Sequence, residues 1–162
     1  MMNIKQIFPL FFLVVLMGQS FLTMAANDKY GTQKVVYHIN YDDASRQSSA
    51  LRNIQNHINA VGSENLDLQI VMHGKGLSLI TKPDALSHLP KVKAANANQA
   101  IRQKIDNLKL QGVHFNVCAN TVKSLGINVD NDLYDVTKTD IVPSGVAELT
   151  LLQSQGFTYL RP

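Results

Sequence analysis

The sequence has 162 residues, with a single cysteine, Cys118, and five histidines. Cys118 ends the run Val113-His114-Phe115-Asn116-Val117-Cys118, which reads as a β-strand. It stands directly before Ala119-Asn120-Thr121, where a short helix should begin. A sulfur at a helix start meets free N–H groups and the positive end of the helix dipole, and both favour thiolate. A thiolate attacks sulfur without a metal or an organic cofactor, so no cofactor is expected. A second reading makes Cys118 a small buried hydrophobe closing a core strand, because free cysteines are among the most buried residue types. Both readings stand on the sequence.

Two other polar residues close expected strands: Asn40 ends Lys34–Asn40, and His73 ends Leu66–His73. In parallel sheets, ligands bind outside the carboxyl ends of the strands. Asn40, His73, Gly74, Gly76, Cys118 and Asn120 are therefore the candidate crevice. His73 is a candidate proton donor or acceptor. Gly74 and Gly76 would let backbone approach a ligand closely. The plainer alternative for Met72-His73-Gly74-Lys75-Gly76 is a turn. The pattern lacks the third glycine of the dinucleotide fingerprint and the Lys-Ser/Thr ending of a phosphate loop.

No metal site is expected. His114 and Cys118 lie four apart on a strand, ~13 Å at ~3.3 Å per residue, and His57 and His88 fall on a helix and a loop. One cysteine excludes an internal disulfide and multi-cysteine metal sites. Asp130, Asp132, Asp135 and Asp140 miss the calcium-loop pattern and read as a solvated acidic loop. Ser144-Gly145 is not embedded in Gly-x-Ser-x-Gly, so a serine hydrolase has no support. Tyr41-Asp42-Asp43 reads as a helix cap.

The elements that must position these residues alternate strand and helix. Lys34–Asn40 is apolar at both parities apart from His38, as in a strand covered on both faces. Leu51, Ile54, Ile58 and Val61 mark one face of a helix over 45–61 that stops at Gly62. Leu66–His73 is a second strand, completing a βαβ unit. Leu77–Ile80 fits either a strand or a helical turn. Thr81–Lys93, with Pro83 and Pro90, reads as a mobile surface segment. A helix over 94–110 carries Ile101, Ile105 and Leu108 inward. After Cys118 come a helix over 121–125, an irregular stretch over 128–139 and a short strand at 140–142. A helix with Pro143 in its first turn and Val146, Leu149 and Leu152 inward follows, then a strand at 157–160. The expected fold is α/β: a parallel sheet of four or five strands with helices on both faces.

Residues 1–25 read as a secretory signal: Lys5, an apolar stretch from Ile7 to Met17, and a small residue at Ala25. Gln19, Ser20 and Thr23 interrupt that stretch before the ~20 residues a spanning helix needs. Residues 26–33 form a polar lead-in and 34–162 the domain. A periplasmic protein without a membrane anchor after cleavage is the expectation. The net charge of +3 is scattered and tryptophan is absent, so no nucleic-acid surface is expected.

The segments Lys34–Asn40, Leu51–His57, Val71–Gly76 and Phe115–Thr121 resemble the DsrE/DsrF-like family, most closely its exported, poorly characterised branch. The resemblance implies a flavodoxin-like three-layer domain, often assembled into trimers or hexamers. It also implies sulfur relay, with persulfide carried on a cysteine after a central strand, the position of Cys118. His73 matches a motif of the exported branch. The expected function is an exported sulfur-handling protein, transferase-like at most, carrying sulfane sulfur or a mixed disulfide on Cys118 and exchanging it with a donor or acceptor protein. The alternative is a non-catalytic oligomeric binding module. Apolar Leu79, Ile80, Leu86 and Leu89 need cover, either from the parent domain or from a neighbouring copy; with the trimers and hexamers that the resemblance implies, the expectation is a homo-oligomer with the 77–93 segment near an interface and near the Cys118 crevice.

Overall fold

The computed structural model describes residues 29–162, so the expected signal sequence and the first residues of the lead-in lie outside the described residues. Five strands form one parallel sheet. They are β1 (Gln33–Ile39), β2 (Leu66–Met72), β3 (His114–Cys118), β4 (Ile141–Val142) and β5 (Thr158–Leu160), in the order β4-β3-β2-β1-β5. The helices are α1 (Ala44–Val61), α2 (Gln99–Leu110), α3 (Ala119–Leu125), the single turn α4 (Val129–Asp132) and α5 (Gly145–Ser154).

Side chains alternate along a strand, and here both parities are apolar near the strands' carboxyl ends. Val35, Tyr37, Ile39, Leu68, Ile70, Met72, Phe115 and Val117 form the larger core with Leu51, Ile54 and Ile58 of α1 and Ile101, Ile105 and Leu108 of α2. Val36 and Val71 point the other way, onto Leu149 and Leu152 of α5 and Phe157. The domain is the three-layer α/β arrangement expected from the alternating pattern. On the α5 face lie His38, two residues beyond Val36, Cys118 at the end of β3, and His73 just after the end of β2.

Several expectations are corrected. The 81–93 segment is not a mobile surface stretch. Gly74–Leu79 and Pro83–Ser87 form 3-10 turns, and Leu77, Leu79, Ile80, Ala85 and Leu89 are buried within the same domain. Only Leu86 among those apolar residues is exposed. The need for cover from a neighbouring copy therefore disappears. Turns of three residues hide the burial pattern from a search for periods of 2 or 3.6.

Helix α2 starts at Gln99, not at 94, because Asn98 caps it by accepting the Ile101 N–H at 3.1 Å. The preceding residues bond to the segment after β2: the Asn96 N–H donates to the Ser78 carbonyl at 2.7 Å and the Ala97 N–H to the Thr81 carbonyl at 3.1 Å. Pro143 lies outside α5, whose cap is Ser144, and Val146 faces solvent at 62% exposure. Asp132 is buried rather than solvated. Its carboxylate accepts the Asn128 N–H at 2.8 Å and pairs with His88 Nε2 at 2.8 Å. Burial opposes its charge, but these donors and Lys82 hold the carboxyl below its ordinary range.

Candidate functional site

Strand β3 runs straight into α3, and Cys118 is both the last strand residue and the helix N-cap. The chain turns there without a glycine because the cap residue keeps an extended conformation, φ −70° and ψ 113°. The backbone N–H groups of Asn120 and Thr121 therefore point back toward the sulfur. A third N–H comes from Gly145, at the start of α5, and the Thr121 hydroxyl supplies a fourth donor. No side-chain capping bond of ordinary geometry forms at Cys118, so these contacts act electrostatically, at looser geometry. Burial pushes the thiol pKa up; the four donors outweigh it and leave the pKa below its ordinary value. Cys118 is 5% exposed.

Thr121 is itself fixed from the other side. Its oxygen accepts the Gly74 N–H at 2.9 Å, which leaves its hydroxyl proton for the sulfur. Gly74 adopts φ 54°, the left-handed region that glycine enters without strain. That conformation turns the chain after β2 toward α3.

His73 lies just beyond the end of β2, beside Cys118. Both side chains press on Gly145. A Cβ there would sit 3.0 Å from the His73 Cβ and 3.3 Å from the Cys118 Cβ, so Gly145 lets the three elements close around one point. His73 Nε2 lies 2.8 Å from His38 Nε2, and His38 Nδ1 lies 2.7 Å from the Tyr159 hydroxyl. The two imidazoles stack, with centroids 4.8 Å apart and planes at 26°. One Nε2 must carry the shared proton and the other must accept it. Burial, followed by the neighbouring His73 and Arg161, lowers the His38 pKa from 6.5 to about 4. Burial also lowers that of His73. Both rings are neutral near pH 7. Nδ1 of His73 has no hydrogen-bond partner among the described residues.

Not all of the sequence candidates converge. Cys118, His73, Gly74 and the backbone of Asn120 share the site. Asn40 is turned to Arg161, whose Nε and Nη2 donate to its Oδ1 at 3.0 and 2.9 Å. Gly76 is buried against the backbone of β1: a Cβ there would lie 1.9 Å from the Ile39 carbonyl oxygen. Its bare Cα serves chain packing and faces no crevice. Sequence reasoning missed His38, Tyr159, Thr121 and Gly145. His38 alone had left a signal, as the one polar residue in an otherwise apolar strand interior. Among the described residues no cluster of His, Cys, Asp or Glu could hold a metal ion, and no helix is long and apolar enough to cross a membrane.

Among proteins of curated function, none matches the chain. A solved structure of a protein of unknown function from Methanobacterium thermoautotrophicum is similar, at 27% identity and a TM-score of 0.63, covering 80% of this chain and 99% of that one. The model of the DsrE/DsrF-like family matches residues 33–162, which takes in all five strands and both sides of the Cys118 junction. The chain belongs to the DsrE/DsrF-like family, which is associated with sulfur relay.

Proposed function

We propose that this protein is an exported sulfur carrier whose Cys118 thiolate accepts a sulfane sulfur as persulfide and passes it on. The observation that carries this reading is the position of Cys118 at the N-cap of α3, against Gly145 at the start of α5, where the donors of Asn120, Thr121 and Gly145 lower the thiol pKa. Such an arrangement favours the thiolate, which is the attacking species in sulfur exchange. Family membership supplies the reaction class, and the apolar stretch at Ile7–Met17 supports export to the periplasm. The test is the intact mass of the folded protein after treatment with polysulfide, set beside Cys118→Ser. One added sulfur on the native chain and none on the variant is the expected result.

The 5% exposure of Cys118 favours a second reading, a binding module in which the thiol is filler. A thiol reagent that labels Cys118 only in denaturant selects this second reading; labelling of the folded protein selects the first.

We propose self-association, following the trimers or hexamers that the family resemblance implies. Light scattering should give a multiple of the chain mass. A monomer at tens of micromolar contradicts the assembly and leaves the Cys118 chemistry intact.

A further inference from the structure

The chain after β2 borders a hollow that shares only Gly74 with the residues around Cys118. It holds about 100 Å³ and lies between the 3-10 turn Gly74–Leu79, the stretch 91–94 and the carboxyl end of α3. Its walls are apolar. Leu77 is fully buried, and Val92 and Leu125 pack against the larger core. Two hydroxyls also line it, and both already have partners. Thr81 Oγ1 donates to the Leu77 carbonyl at 2.8 Å, and Ser78 Oγ accepts from Gln47 Nε2 at 2.9 Å. A buried water needs two to four polar partners, so this interior suits an apolar group better than water.

The edge of the hollow is charged. Lys75, Lys91, Lys93 and Asp42 all line it. Lys75 Nζ stands 3.7 Å from Asp42 Oδ2, on a side chain that is 72% exposed. Lys91 Nζ donates to the Ser124 carbonyl at 3.0 Å, next to the Leu125 wall. Lys93 Nζ donates to the Pro90 carbonyl at 3.1 Å. An ammonium has three N–H donors, so each lysine keeps donors for a further acceptor. Three lysines against one carboxylate leave the edge net positive. Apolar walls below a positive, water-exposed edge complement a molecule with an apolar body and an anionic head. The hollow also sits beyond the carboxyl end of β2, on the side of the sheet where parallel folds hold ligands.

We propose that this hollow binds a small carboxylate, with its head held by Lys75 and Lys91 and its body between Leu77, Val92 and Leu125. Benzene occupies a dry cavity of about 150 Å³. In proportion, about 100 Å³ takes a body of about four carbons. The assignment stands apart from the sulfur-carrier reading, because Cys118 is not among the residues that line the hollow.

The test uses pentanoate as the probe, titrated into the full-length folded protein and followed by two-dimensional NMR. Saturable shifts at Leu77, Val92 and Leu125, with one site per chain, are the expected result. Pentanamide keeps the shape without the charge, and acetate keeps the charge without the body. Each should bind at least about tenfold more weakly, the first for want of charge-assisted hydrogen bonds and the second for want of buried methylenes. Lys75→Gln combined with Lys91→Gln, both exposed positions, should weaken pentanoate by a similar factor and leave pentanamide unchanged. Cys118→Ser should bind pentanoate as the native chain does, which separates this result from the fate of the carrier reading. No saturable shift at the three wall residues overturns the assignment. So does equal binding of pentanoate and pentanamide, or acetate binding as tightly as pentanoate, which would mark surface lysines alone.

Discussion

At the scale of single residues, the chemistry depends on what surrounds one sulfur. Thr121 is the pivot, since its hydroxyl accepts from the Gly74 N–H and donates toward Cys118. Thr121→Val keeps the shape and removes both links. The Cys118 pKa should rise, seen as a shift to higher pH in the ultraviolet thiolate titration. Stability should fall by about 1 kcal/mol from the orphaned Gly74 N–H. An unmoved titration would mean that the hydroxyl does not help hold the thiolate. Cys118 and His73 were legible in the sequence because each ends a recognisable strand. Thr121 was visible only as the start of a short helix. Tyr159 meets His38 across 121 positions of chain, a contact that no local pattern encodes. Gly145 was equally hidden, since its role comes from the approach of β2, β3 and α5 to one point.

At the scale of elements, the βαβ core followed from strand composition and the spacing of Leu51, Ile54, Ile58 and Val61, and the structure keeps both. What failed was the reading of irregular chain. The 3-10 turns after β2 are held by buried apolar residues with no helical or strand period and by side-chain hydrogen bonds. Gln47, fully buried in α1, donates to the Tyr41 carbonyl at 2.6 Å and to Ser78 Oγ at 2.9 Å, and accepts from Asn96 Nδ2 at 2.8 Å. A polar network of that kind, drawing on three separate stretches, leaves no periodic trace in sequence. Gly76 shows how tightly the first turn sits. Gly76→Ala places a Cβ 1.9 Å from the Ile39 carbonyl oxygen, so backbone must move. The expected cost is about 3 kcal/mol, at the upper end of ordinary overpacking, read from a chemical denaturation midpoint. A loss below about 1 kcal/mol would show that the turn is free to shift.

At the scale of the whole molecule, three buried or half-buried histidines set the response to acid. His38 stays neutral in the fold down to about pH 4, whereas in the unfolded chain it takes a proton near 6.5. Between those values the unfolded chain binds more protons, so stability is full above about 6.5 and is lost as pH falls toward 4. His57 and His73 are shifted in the same direction by burial. Thermal unfolding across that window should show a falling Tm, with a shallower fall in His38→Gln. A flat Tm in the wild type would contradict the buried neutral pair. The burial that makes the fold acid-sensitive also keeps His38 and His73 neutral beside Cys118.

The account stands or falls on whether the folded protein carries sulfur on Cys118. Intact-mass analysis after polysulfide treatment, under non-denaturing conditions, addresses it most directly. The expected result is a single added sulfur, released by a thiol reductant and absent from Cys118→Ser. A native protein that stays at its unmodified mass, or gains the same adduct in Cys118→Ser, would contradict it.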